Sequence, residues 1–177
     1  HISRWGGGYY DINARGHVVA KPLPGDDTAV ELSAVIEAAQ KKGLSGPLLI
    51  RFQDILRHRV QSLCRAFDEA IERFEYGGQY HGVFPLKVNE LREVVEEVLD
   101  AGKDDAFGLE VGSKSELSAA LALQSNPHSL LICNGYKDAN FIHTALMGTR
   151  LGKRVVLVVE KLDELQNIIE IARSEGV

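Results

Sequence analysis

Four strand-then-helix units follow one another in the second half of this chain, and they limit its fold more strongly than any other feature. Each unit is a short apolar run that ends in a polar residue, followed by a segment with the 3.6-residue periodicity of an amphipathic helix. The polar residues recur at intervals of 23, 24 and 26 residues. This is roughly the length of one βα unit in an eight-stranded barrel, although such a series can also stay open as a doubly wound sheet. The pattern therefore predicts an α/β fold with a parallel sheet.

The predicted strands bring polar side chains to one edge of that sheet. The strands span 83–88, 106–111, 130–133 and 155–159. The polar residues that end them are Lys87, Glu110, Asn134 and Glu160. The carboxyl ends of parallel strands are where α/β proteins build their active sites, so we expect these four side chains around one rim. The alternative is that strands end in polar residues because the loops that follow face water.

The N-terminal part of the chain has a different pattern. Residues 5–20 predict a β-hairpin, and 28–31 has the form of a capping box at the start of a helix. The apolar run 48–52 predicts a further strand, and an amphipathic helix follows from about 54 to 74. The expected domains are an N-terminal hairpin and helix segment, 1–46, and an incomplete βα barrel, 47–177.

Lys87 has the most distinctive position of any charged residue. It lies near the end of the apolar run Gly82-Val83-Phe84-Pro85-Leu86-Lys87-Val88-Asn89, which predicts a buried strand. Burying an ammonium group is costly unless the site lowers its pKa or supplies a partner. A desolvated lysine is a good nucleophile for an imine with an aldehyde cofactor. The alternative is a lysine whose head reaches solvent from the strand end.

Side-chain alternation along the next strand gives an orientation for Glu110. Successive residues of a strand point to opposite faces, so Phe107, Leu109 and Val111 share one face while Gly108 and Glu110 share the other. We expect Glu110 to face Lys87, with the small Gly108 leaving space beneath the rim.

Composition and charge exclude several function classes. The formal net charge of -5 and the pI near 5.7 disfavour a nucleic-acid or acidic-membrane surface, and no apolar run has the ~20 residues of a membrane span. No Walker-type loop or glycine-rich dinucleotide fingerprint follows a predicted strand, and the histidines lack metal-ligand spacing. Cys64 and Cys133 are far apart in sequence, which favours a reducing, cytoplasmic compartment. Because the chain begins at His1 rather than Met, we expect a piece of a longer protein.

Four segments, in collinear order along nearly the whole chain, are similar to motifs of one enzyme family. They are WGGGYYDIN at 5–13, GVFPLKVN at 82–89, FGLEVGSKSEL at 107–117 and LICNGYKD at 131–138. Together they resemble the pyridoxal-phosphate decarboxylases with the alanine racemase or ornithine decarboxylase-like barrel, and among these the biosynthetic arginine decarboxylases. The lysine motif alone would not separate arginine decarboxylases from ornithine or diaminopimelate decarboxylases.

The resemblance implies a reaction and a set of site residues. Lys87 would hold pyridoxal phosphate as an imine that the substrate L-arginine displaces, and the cofactor ring would accept the electrons left when CO2 departs. The product agmatine would enter polyamine and spermidine biosynthesis. Glu110 would orient groups or handle protons near the cofactor, and Asn134 would contribute to the cofactor pocket. Mg2+ is a further cofactor that the resemblance suggests, and the sequence identifies no ligands for it.

The resemblance also implies that this chain is incomplete. It corresponds to the N-terminal half of a pyridoxal-phosphate-binding (β/α)8 barrel, preceded by a short hairpin and helix segment. The phosphate loop, the ring-stacking histidine and the acid at the pyridine nitrogen belong to later strands of the family. We therefore expect the 177-residue chain to be inactive by itself and the full-length enzyme to be a cytoplasmic homo-oligomer without nucleic-acid or membrane partners. The alternatives are another amino-acid decarboxylase or a racemase of this barrel type, or a non-catalytic α/β module.

Overall fold

The structure, a computed structural model, describes residues 2–177 and divides into two compact units. The first unit ends at Arg59, and the second runs from Val60 to Val177. Helix α3, Gln53–Arg73, begins in the first and continues in the second, close to the predicted bounds. No helix among residues 2–177 is both long and apolar enough to cross a membrane.

The first unit is built around a small antiparallel sheet. Its elements before α3 are α1 (Ile2–Trp5), β1 (Tyr10–Ile12), β2 (Val18–Ala20), β3 (Val30–Glu31) and α2 (Leu32–Lys41). Strands β1 and β2 form the predicted hairpin, and β3 adds to the free side of β2.

Two predictions for this unit are wrong. Residues 28–31 do not cap α2, because Val30 and Glu31 pair with β2 and the Glu31 carboxylate receives hydrogen bonds from Asn13 and Ser33. Residues 48–52 form no strand; Leu49 is 78% exposed, so the apolar run lacks a covering layer within this unit. An apolar run therefore predicted burial that the neighbouring described residues do not provide.

The second unit contains the predicted parallel sheet. Its strands are β4 (Val83–Pro85), β5 (Gly108–Val111), β6 (Leu130–Cys133) and β7 (Arg154–Leu157), and each pairs in parallel with the next in the order of the chain. The helices that follow them are α4 (Arg92–Ala101), α5 (Lys114–Leu123), α6 (Ala139–Arg150) and α7 (Leu162–Glu175). The predicted α/β fold with a parallel sheet is confirmed.

The core of this unit lies on one face of the sheet. Leu109 of β5 and Leu131 of β6 are neighbours in register, are fully buried, and pack with apolar side chains of α4, α5 and α6. Burying one leucine in such a core stabilises the fold by about 1.5–3 kcal/mol relative to exposing it. The opposite face contains the register set Glu110, Ile132 and Val156, and it is only partly covered within this unit. The sheet therefore turns one side toward its helices and leaves the other side, with Glu110, open.

Candidate functional site

Lys87 lies just beyond β4, on a single 3-10 turn, Leu86–Val88. The strand ends at Pro85, so the predicted strand to residue 88 is too long. Leu86 occupies the buried position of the turn, while the Lys87 side chain is 66% exposed. The prediction of a buried lysine is therefore wrong for this chain, because β4 is an edge strand and the turn directs Lys87 away from the core. The amine is accessible to a small molecule.

Glu110 is the partner of that amine. Pro85 and Glu110 are neighbours in the β4–β5 register, which brings the carboxylate alongside the start of the turn. The distance from Lys87 Nζ to Glu110 Oε1 is 3.4 Å, and the Glu110 side chain is 18% exposed. The prediction that Glu110 lies on the Lys87 side of the sheet is confirmed, whereas its part in any chemistry stays a prediction. An exposed pair of this kind contributes only about 0–1 kcal/mol to folding, so its geometry matters more than its stability.

The reason for the glycine at 108 differs from the expectation. A Cβ atom at Gly108 would collide with the backbone carbonyl group of Leu130 in the adjacent strand. The space beneath the rim is thus filled by the backbone of β6, and Gly108 permits the close approach of β5 and β6 rather than opening a cavity.

Asn134 joins the same carboxylate from the next strand. Its backbone N–H donates to the carbonyl oxygen of Val111 at 2.8 Å, which continues the β5–β6 ladder by one residue. Its side-chain amide then donates to Glu110 Oε1 at 3.4 Å. Lys87 and Asn134, which follow β4 and β6, therefore converge on one oxygen atom of Glu110 in the strand between them.

Glu160, the fourth polar residue of the predicted rim, has a different partner. Its Oε1 accepts the backbone N–H of Gly135 at 3.1 Å, so it supports the loop after β6. The structure thus brings three of the four predicted rim side chains together at Glu110 and connects the fourth through the loop.

A buried ion pair behind this loop was missed by the sequence analysis. Lys137 Nζ lies 2.8 Å from Glu164 Oε1, and the two side chains are 0% and 5% exposed. Both residues line a cavity of about 480 Å³ on the helical side of the strand ends, whose lining includes neither Lys87 nor Glu110. One signal could have found it: Glu164 shares the inward stripe of α7 with Ile168 and Ile171, at helical spacing.

Among residues 2–177, neither the two cysteines nor the candidate metal ligands form a second centre. Burial raises the pKa of the Cys133 thiol to about 12 and that of Cys64 to about 11, so neither is a thiolate near neutral pH. Within residues 2–177, no group of three or more His, Cys, Asp or Glu side chains is arranged to hold a metal ion.

The donor set around Lys87 suits an aldehyde cofactor. An accessible primary amine can bond covalently to an aldehyde carbon, and a carboxylate beside it can accept or return a proton. These groups fit the reactive end of such a molecule.

Comparisons with known proteins agree with this chemistry. Residues 57–177 match the family model described as pyridoxal-dependent decarboxylase, pyridoxal binding domain. The biosynthetic arginine decarboxylases of Synechococcus sp. (strain RCC307) and Xylella fastidiosa (strain M12) are 46% and 47% identical over 99% of this chain. The crystal structure of the biosynthetic arginine decarboxylase from Campylobacter jejuni superposes with a TM-score of 0.89 over 98% of this chain, at 31% identity.

These relatives are much longer than the chain. It spans 27% of the Synechococcus enzyme, 28% of the Xylella enzyme and 29% of the Campylobacter chain.

Proposed function

This chain belongs to the pyridoxal-dependent decarboxylases, and we propose that it is the part of an L-arginine decarboxylase that carries the cofactor lysine. In this proposal residues 1–46 form an N-terminal segment and 47–177 the first part of the barrel. The intact enzyme converts L-arginine to agmatine and CO2. The observation that carries the proposal is the accessible Lys87 amine beside Glu110, at the strand ends of a domain that matches the pyridoxal-binding family.

The substrate assignment has its own support. The relatives that align with 99% of this chain bear the name biosynthetic arginine decarboxylase. In this proposal agmatine is a precursor for polyamines, the reaction belongs to spermidine biosynthesis, and the enzyme is cytoplasmic. The proposal includes a homo-oligomer and excludes nucleic-acid and membrane partners, in keeping with the net charge of -5.

Each residue at the site has a task in this proposal. Bound pyridoxal phosphate supplies an aldehyde that captures amines and a ring that accepts electrons from the α-carbon. Lys87 holds the cofactor through its amine and yields that position to the amine of the substrate. Glu110 keeps the lysine head in place and exchanges protons with it over a distance of 3.4 Å. Asn134 donates a hydrogen bond to Glu110 and limits the movement of the carboxylate.

Substitution of Lys87 in the intact enzyme tests the proposal. We expect Lys87→Ala to abolish turnover and to prevent covalent capture of pyridoxal phosphate on borohydride reduction, which mass spectrometry of the peptide around 82–89 would detect. Lys114→Ala is the matched control, because Lys114 is also exposed and ion-paired, with Asp138 at 2.5 Å. Near-normal decarboxylation by Lys87→Ala would refute the assignment. Parallel assays with ornithine and diaminopimelate would show whether arginine is the preferred substrate.

A further inference from the structure

The buried pair of Lys137 and Glu164 has no task in the chemistry proposed above. Its two side chains are 0% and 5% exposed, in contrast to the 66% exposure of Lys87. Lys137 Nζ also donates to the backbone carbonyl oxygen of Gly135, two residues earlier in the same loop. Lys137 therefore makes one contact within the loop after β6 and a second contact with the first turn of α7.

Energetics alone give little reason for this pair. Removing two charges from water is expensive, and replacing a buried ion pair with apolar residues of similar volume is often neutral or stabilising. A pair that adds little stability can still impose one conformation, because any other arrangement leaves a buried charge without a partner. What the pair fixes is the course of residues 134–138.

That loop begins with the residue that contacts Glu110. Gly135 adopts a left-handed conformation with φ of 72°, and its N–H donates to Glu160. Lys137 holds the carbonyl oxygen of Gly135, and Asn134 is the residue immediately before this glycine. The distance from Asn134 Nδ2 to Glu110 Oε1 is 3.4 Å, longer than the usual range of about 2.7–3.2 Å for an N–H···O hydrogen bond, so the contact is weak. A small shift of the loop would therefore break this contact.

We propose that Lys137 and Glu164 are positioning residues that hold Asn134 against Glu110 and so fix the carboxylate beside Lys87. Neither needs to touch cofactor or substrate. The effect passes through the backbone of Gly135, and it serves the proton exchange between Glu110 and Lys87. This inference rests on the proposed function, since the contact that it explains belongs to that site.

The test uses three variants of the intact enzyme and a fourth that combines two of them. Lys137→Met combined with Glu164→Leu removes both charges and keeps an apolar filling, so we expect the melting temperature to stay at or above that of the parent. Turnover with arginine should nevertheless fall by about 10- to 100-fold, because a misplacement near 1 Å can cost up to about 100-fold. Lys103→Met is the control, since Lys103 is exposed and lines a different cavity from Lys137 and Glu164, and this variant should retain full activity. Asn134→Ala supplies the third variant.

A double-mutant cycle separates positioning from a general structural effect. If Lys137 and Glu164 act through Asn134, adding the double substitution to Asn134→Ala should lower turnover by less than about 2-fold more. The same 10- to 100-fold loss in both backgrounds would overturn the proposal. Turnover no lower than in Lys103→Met would also overturn it.

Hydrogen exchange supplies a readout that does not depend on the cofactor. In the cofactor-free enzyme, the double substitution should speed exchange in a peptide covering 134–138 and leave the β5 and β6 peptides unchanged. Unchanged exchange at 134–138 would overturn the positioning role. If Lys87→Ala retained activity instead, the proposed function would fail, while the exchange result would still decide whether the pair orders the loop.

Discussion

Replacement of Gly108 by alanine discriminates between two explanations of this glycine. If it provides room for a ligand, alanine should lower activity and leave folding intact. The structure shows that the added methyl group would collide with the backbone carbonyl of Leu130, which belongs to β6, is paired with Arg154 of β7 and cannot rotate away. Strands β5 and β6 would have to separate. The ladder between them includes the register pairs Leu109 with Leu131 and Val111 with Cys133, and these four side chains belong to the core.

The expected loss of stability depends on the kind of atom with which the added methyl group collides. Overpacking in a close-packed interior costs about 1–3 kcal/mol, and a clash with backbone lies near the upper end because side-chain rotation cannot relieve it. For a cooperative unit of 150–250 residues, about 3 kcal/mol lowers the melting temperature by roughly 6–12 °C.

Thermal unfolding followed by circular dichroism measures the effect, with Gly112→Ala as the control. The nearest atom to an added Cβ there is Glu116 Oε2 at 3.8 Å, an ordinary contact. We expect that variant to melt within about 4 °C of the parent, since removal of backbone freedom from the unfolded chain is worth only about 0.4–1 kcal/mol. If Gly108→Ala melts with the parent and the control, the close approach of β5 and β6 is not what requires glycine.

Three further predictions concern stability in acid, the reactivity of the two thiols, and the activity of the 177-residue chain by itself. Hydrogen bonds from Ser33 and from the imidazole of His17 lower the pKa of Glu31 from 4.5 to about 2. The stabilisation of the β1–β2 hairpin by Glu31 is therefore complete above pH 4.5 and is lost as the pH falls toward 2. Hydrogen exchange should show that Glu31→Gln removes this pH dependence. Burial raises the pKa of Cys64 to about 11 and that of Cys133 to about 12, so a thiol reagent at pH 8 should label both only after unfolding in urea, and rapid labelling of the native protein would contradict their burial. The 177-residue chain alone should bind pyridoxal phosphate weakly and release no CO2 from arginine until the remainder of the enzyme is added. Production of agmatine by the isolated chain would contradict the expectation that part of the active site lies outside these residues.

Local patterns in the sequence predicted the parts of the molecule that depend on neighbours in the chain. The interval between strand ends identified the βα series because each strand is too far from the next for a hairpin and near enough for one crossover helix. Side-chain alternation placed Glu110 opposite Leu109, and the structure bears this out with a Lys87–Glu110 contact.

The errors have a common physical cause, which is that burial depends on tertiary neighbours. The run around Leu49 and the motif of Lys87 are apolar in sequence, yet both residues are exposed. Conversely, Lys137 lies in a polar loop and its side chain is fully buried, because Glu164 approaches it from helix α7, 27 residues later in the chain. A polar loop contains no local sign of such a partner. The use of Val30 and Glu31 as a third strand was missed for the same reason, since β2 supplies its hydrogen bonds.

The alternation within β5 has a consequence for how this enzyme family can change. Leu109 and Val111 are fully buried, and Glu110 between them faces the amine of Lys87. Under the proposed function, selection on folding and selection on chemistry act on adjacent codons. A deep mutational scan along this strand should show fitness costs with a period of two: abundance of the protein would fall for substitutions at the leucine and valine, and specific activity would fall at the glutamate. A replacement of Glu110 should therefore change activity while leaving the amount of folded protein nearly unchanged, so the two kinds of selection can be measured separately along one strand.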